Sequence, residues 1–287
     1  MTVISPFLNT ILIFGGINAI LAFSLYLPLS CGQLSLAQGG FMAIGAYSSA
    51  VLTKNFGVPF GLALLGGGSV ACVFGYLVGF PALRIKGIYL LLMTLGFNEI
   101  IRVFFLNFSY TGGVGGFGGI KPMTNLYNLY PVLFLLLVFY YRFHNSHLGR
   151  AMRAINQDQD AAEARGLPLT RLKTFAFGGG AFIAGLAGGY YAHFVQFIES
   201  ENFGFMTSLD AMVYVLLGGS QIFWGPLLGA YLVTTLPEIF RVFQKFRYEI
   251  FGASLVLMMI LRPRGLLDEE VCSVAWWKEL ILRRRAQ

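Results

Sequence analysis

Glu99 and Arg102 stand three apart inside an apolar run, where they share a helix face and can pair. A charge at mid-bilayer costs at least ~2.5–3.5 kcal/mol by insertion scales, so such a pair has a reason to exist. Two readings stay open: a structural ion pair near the outer membrane face, or a position lining or gating a polar path, with Asn98 beside it. Gln33, Ser35 and Gln38 cluster in a weakly apolar stretch that glycines interrupt. A broken segment there offers backbone groups and side-chain amides to a polar solute, or bonds internally. Asn18 is a weaker candidate of the same kind. Enzyme chemistry finds little to use. His144 and His147 lack a third ligand nearby, and Cys31, Cys72 and Cys272 form no CxxC, so no metal is expected. The loop Thr111-Gly-Gly-Val-Gly-Gly-Phe-Gly-Gly119 looks like a phosphate cradle but lacks the Lys and the Ser or Thr that follow in a P-loop. No cofactor is expected on this chain.

The elements that hold these residues are apolar helices. The 287 residues are 56% hydrophobic and only 11% charged, whereas a soluble domain carries about 25% charged residues. The predicted fold is an all-α polytopic membrane helical bundle forming one transmembrane domain over 1–287. Candidate spans are 7–29, 31–53, 58–81, 87–107, 128–143, 172–196, 205–222, 224–240 and 247–262. The count is about nine, within eight to ten, with 31–53 weak enough to be broken or re-entrant. Net charge of +7 reads as Lys and Arg setting orientation, not as nucleic-acid binding. Nine spans place Arg84 and Lys86, the basic residues flanking 147–168, and the basic tail 266–287 in the cytoplasm. The Gly-rich loop, Glu199 and Glu201 then fall outside; the cluster Arg241, Lys245 and Arg247 also falls outside and breaks the rule. Gly75/Gly79, Gly185/Gly189 and Gly225/Gly229 are spaced for close helix packing within the bundle. The first apolar run has no basic leader, so no cleavable signal peptide is expected.

Between spans, His147–Pro168 is charge-dense and helix-compatible. Asn145 or Ser146 can cap its start, and Gly166 with Pro168 stops it. One helix over 147–166 is predicted, with Leu148, Met152, Ile155 and Ala162 near one face and Arg153, Asp158, Asp160 and Glu163 elsewhere. An apolar face on a cytoplasmic helix fits a partner's groove, with rim charges fixing register, or packing on its own bundle.

This segment resembles the cytoplasmic coupling segment of ABC importer permeases. More narrowly, the chain resembles the M-type permease of branched-chain amino-acid (Liv) importers. The pieces that carry the resemblance occur in order: Gly32-Gln-Leu-Ser-Leu-Ala-Gln38 with Gly45-Ala-Tyr47; Pro81-Ala-Leu-Arg-Ile-Lys-Gly-Ile-Tyr89; Thr94-Leu-Gly-Phe-Asn-Glu99; Thr111-Gly-Gly113; Gly149-Arg-Ala-Met-Arg-Ala-Ile155; Ala161-Ala-Glu-Ala-Arg-Gly166; Gly185-Leu-Ala-Gly188 with Tyr191-Ala-His193; Leu217-Gly-Gly219 with Trp224-Gly-Pro226; and Leu261-Arg-Pro-Arg-Gly-Leu-Leu267.

The resemblance implies a permease that does no covalent chemistry, in a bacterial or archaeal inner (plasma) membrane. It implies a second, H-type permease, two cytoplasmic ATPases that hold the ATP-Mg, and an external solute-binding protein. Arg150, Met152, Arg153, Ile155, Asp158, Asp160, Glu163 and Gly166 would couple to the ATPases. Gln33, Ser35, Gln38, Asn98 and Glu99 are the candidates for the translocation path. Related permeases move amino acids, urea, amides or sugars. The rival class is a stand-alone secondary transporter or channel, for which Glu99 and Asp210 would be the coupling groups.

Overall fold

Ten helices follow one another along the described part of the chain: α1 (Pro6–Leu29), α2 (Gln38–Asn55), α3 (Phe60–Ala82), α4 (Ile88–Asn107), α5 (Leu126–Asn145), α6 (His147–Gln157), α7 (Gln159–Ala164), α8 (Leu169–Val195), α9 (Phe205–Gly218) and α10 (Gly225–Ile239). The computed structural model describes residues 6–82, 85, 87–219, 222–239 and 252. The expected span 247–262, the tail 266–287, Arg84, Lys86, Arg241, Lys245, Arg247 and Cys272 lie outside the described residues.

The architecture is an all-α membrane bundle. Among the described helices, α1, α3, α4 and α5 are each long and apolar enough to cross a membrane. The centre is α8, 27 residues long, against which α1, α2 and α3 pack. Glycine makes that contact possible. A Cβ on Gly188 would overlap the Met42 carbonyl, and one on Gly45 would overlap the Gly185 backbone, so α2 and α8 meet backbone to backbone. The paired glycines of α3, α8 and α10 all face helices of this same chain, which is the bundle-packing role.

The structure decides one open expectation and corrects two others. First, the stretch 31–53 is broken, as its weak hydropathy allowed, and is not one continuous helix. The chain leaves α1 in a turn at Leu29–Gly32, runs non-helically to Ala37, and only then enters α2. Gly32 sits at φ +73°, a left-handed conformation that a side chain would strain. Second, α9 has 14 residues and ends at Gly218, with Gly219 as its C-cap. At about 1.5 Å per residue it is shorter than a ~30 Å hydrocarbon core. It packs against α10 so that Gly225 and Gly229 lie on the backbone of Gly218 and Tyr214. Third, 147–166 is two helices, broken at Asp158.

At one end of the bundle, two loops join in a minimal antiparallel ladder. Phe117 pairs with Ile198 and Gly118 with Phe197. Lys54, at the end of α2, donates to the Gly118 carbonyl at 2.6 Å and lies 4.4 Å from the Phe117 ring centroid. The Gly-rich loop and the Glu199 loop are thereby tied into one unit. The segment α6–α7 lies at the far end of α5 and α8.

Candidate functional site

The break between α1 and α2 brings polar groups from four helices together. The Gln38 side-chain carbonyl accepts from the Ser24 hydroxyl of α1 at 2.9 Å. The Leu36 amide donates to the Thr94 hydroxyl of α4 at 2.9 Å. The Gly39 amide, in the first turn of α2, donates to the Ser208 hydroxyl of α9 at 2.8 Å. Ser35 accepts from the Ala37 amide at 3.2 Å, closing a small local turn. A helix start leaves amides without intrahelical partners, and here side chains from other helices meet them, because nothing at Ala37 caps α2.

Asn98 faces the same first turn. It is 0% exposed, and neither atom of its amide has a hydrogen-bond partner. Its oxygen lies so close that a Cβ on Gly39 or Gly40 would stand 3.0 or 3.1 Å away. The Gln33 carbonyl and the Tyr47 hydroxyl are likewise buried and unbonded. An unsatisfied buried polar group costs about 1–3 kcal/mol. The junction therefore holds unsatisfied polar groups at the start of a helix within the bundle.

Four of the five path candidates gather here: Gln33, Ser35, Gln38 and Asn98, all buried. Glu99 does not. One residue on from Asn98, it is turned about 100° around α4, and its carboxylate meets Arg102 Nε at 2.7 Å on a face that is partly open. Asp210 lies on the exposed side of α9, two residues past Ser208. The sequence placed Thr94 and Tyr47 in family-like motifs but not among the path candidates, and Ser24 and Ser208 in neither. Thr94 was accessible as a path candidate, being four residues before Asn98 on one helix face. Ser208 reaches the junction only through the tertiary fold.

The second part of the site is α6–α7. Ser146 caps α6 by accepting from the Gly149 amide at 3.1 Å. Asp158 ends α6 and caps α7, one carboxylate oxygen accepting from the Asp160 and Ala161 amides at 3.0 Å each. Asp158 thus caps a helix start rather than decorating a continuous face. Gly166 follows at φ +79° and closes the segment. Met152, Ile155 and Ala162 are buried against this chain's own bundle, while Leu148 is exposed. Of the two covers open to this apolar face, a partner's groove or the chain's own bundle, the structure shows the second, because the bundle end offers it apolar cover. An 11-residue helix is marginal by itself, so packing of this kind is what holds it. Lys173 of α8 donates to Gln159 at 2.9 Å and pins the start of α7.

The arginines are also engaged within the chain. Arg153 donates to His144 at 2.8 Å, and Arg150 donates to His147 at 3.1 Å and to the Asn145 carbonyl at 2.7 Å. The two histidines meet guanidinium groups, and among the described residues no His, Cys, Asp or Glu cluster is arranged to hold a metal. Asp160, Glu163 and Gly166 remain on the exposed side of α7 and its exit.

The two parts touch. The Ser30 hydroxyl lies 3.6 Å from the Met152 sulfur. A Cβ on Gly32 would meet the Asn156 side chain at 2.8 Å. Residues 30–37 thus run from the α6 dock to the polar junction. Beside that dock, burial pushes the Cys31 thiol up to about 12, outweighing the opposing effects of Lys173 and Ser30.

Residues 7–262 match the family model described as the permease component of the branched-chain amino acid transport system. The chain is 35% identical to the high-affinity branched-chain amino acid transport system permease protein LivM of Salmonella typhimurium, over 88% of this chain, and equally to that of Escherichia coli strain K12. It spans 66% of the length of these relatives, just under two thirds. It is also 27% identical to the permease protein LivH of Salmonella typhimurium, over 42% of this chain and 40% of that protein. No solved structure matches.

Proposed function

The chain belongs to the branched-chain amino acid transport permease family, and from that premise we propose that it is the M-type permease subunit of an ATP-driven importer for branched-chain or closely related amino acids. It works with an H-type permease, two ATPases and an external binding protein in the cell's inner membrane, and hydrolyses no ATP itself. The observation that carries this reading is the capped α6–α7 segment, seated on the bundle and continuous with the break before α2.

In this mechanism an ATPase grips the exposed side of the segment at Asp160, Glu163 and the Gly166 exit. Met152 and Ile155 then act from within, locking the segment to the bundle. Burial of two such side chains contributes about 1.5–3 kcal/mol each, so the segment pulls on its dock before it peels away. Ser30 and Gly32 receive that motion, and residues 33–37 carry it to the start of α2. There the hydrogen bonds to Thr94 and Ser208 exchange, and the unbonded Asn98 amide and Gln33 side-chain carbonyl meet water or solute as the junction opens. Selectivity rests largely with the external binding protein.

The test is leucine uptake by proteoliposomes holding this chain with the H-type permease, the ATPases and the binding protein. ATP-dependent accumulation that vanishes when this chain is omitted is expected. Accumulation by this chain alone, driven by an ion gradient, would overturn the reading in favour of a secondary transporter.

A further inference from the structure

The outward faces of three long apolar helices differ in kind. The face of α3 carries Leu62, Val73 and Leu77, and that of α5 carries Phe134, Leu135 and Val138; all of these are exposed and apolar. Both faces suit lipid. The exposed face of α4 carries Ile100, Val103 and Phe104, but Glu99 and Arg102 stand among them with 36% and 28% of their side chains exposed. Glu99 lies eight residues from the nearer end of the 20-residue apolar helix, about 12 Å, too far for its short side chain to reach the interface, and its pairing holds Arg102 beside it. Hydrocarbon cannot satisfy the remaining donors of Arg102 or the second carboxylate oxygen. A groove of about 640 Å³ runs beside the pair, lined by Glu99, Ile100, Val103, Phe104, Asn107 and Phe108. Gly96, one turn back, has nothing within 4 Å of where a Cβ would stand, so a neighbouring backbone can come close.

We infer that this face of α4 is the seam with a second permease subunit of the same family, and that the Glu99–Arg102 pair lies in that seam. A polar occupant suits the remaining donors and acceptors of this pair better than hydrocarbon does, and its place well inside an apolar helix favours another polytopic chain. The chain is similar to LivM over most of its length and to LivH over 42% of it, so the two kinds of permease are related over at least that part. Two related subunits meet most simply about a pseudo-twofold axis, which sets the same face of each against the other. The groove of one α4 then receives the ridge of the other, and each ion pair gains polar partners across the seam. This inference rests on the proposed role as one permease of a pair.

The experiment places a photoreactive phenylalanine at Ile100, Leu77 or Leu135, positions exposed by 67%, 65% and 65%. Such exposed sites tolerate a large side chain, and each variant is assayed for uptake in the assembled importer before irradiation. Mass spectrometry then identifies the adducts. Permease–permease adducts from Ile100, with lipid adducts from Leu77 and Leu135, are expected. A transporting complex that yields only lipid from Ile100, or permease adducts from α3 or α5 instead, would overturn the seam while leaving the importer reading intact. Absence of ATP-driven uptake in every variant and in the unmodified complex would count against the importer reading. A permease adduct from Ile100 would support the seam even then.

Discussion

The docked segment α6–α7 and the break before α2 solve opposite problems. In α6–α7 the helix starts are capped, Met152, Ile155 and Ala162 are buried, and Arg150 and Arg153 are bonded to histidines or a carbonyl. At the break, a helix begins inside the bundle without a cap of its own, and the Asn98 amide and the Gln33 side-chain carbonyl lack partners. In the proposed mechanism the first region moves as one piece and the second rearranges, regaining hydrogen bonds that this conformation gives up. Ser30 and Gly32 join them, so a rigid handle connects to a soft junction.

The largest expected effect comes from loosening the handle. Met152→Ala removes buried volume at a cost of about 2–5 kcal/mol. It should undock α6–α7, raise protease cleavage between 157 and 168, and abolish uptake while ATP hydrolysis continues. Retained uptake would mean that the inward face does not transmit force.

The junction should respond with the opposite sign. Asn98→Leu removes an unsatisfied amide, worth about 1–3 kcal/mol, so thermal stability should rise while uptake falls. If uptake and stability both fall, as after Met152→Ala, the contrast between the regions is wrong.

How far the sequence announced these two regions follows the same divide. The caps were legible at Ser146 and Gly166 because capping is local, and the apolar helices were legible from hydropathy. The α6–α7 break was not, since Asp158 suits a charged helix face as well as a cap. The inward turn of Met152 and Ile155 was not either: periodicity gives a helix its apolar face but does not say what covers it. At the junction, Gln33, Ser35 and Gln38 stood out as polar residues in an apolar run. The stretch between Gly32 and Ala37 still counted as span, because hydropathy averages over the few residues that leave the helix. Ser208, 169 residues from Gly39, left no local trace.

The link between the regions is testable at Gly32. Gly32→Val forces a branched side chain into a left-handed conformation, a cost of about 1–2 kcal/mol, and against Asn156. It should lower uptake per ATP hydrolysed without displacing the complex from the membrane. Unchanged coupling would free residues 30–37 from the transmission role.

Smaller effects sharpen the picture. Asp158→Ala loses the α7 cap, typically ~1 kcal/mol, and should reduce uptake partially by fraying the surface that the ATPase grips. Least of all, Cys31 in a Cys72→Ser, Cys272→Ser background should react very slowly with maleimide at pH 8. Its raised pKa keeps the thiol protonated there, and reaction should quicken only above that range or when α6 is undocked by Met152→Ala.

The most direct test of a rigid handle driving a soft junction is hydrogen exchange on the unmodified importer, with and without ATP. The account predicts that peptides covering 26–32 and 147–157 stay protected through turnover, while those covering 35–41 and 94–98 gain exchange when ATP is added. Deprotection of 147–157 with no change at 35–41 would contradict it, and would make the docked segment the part that yields.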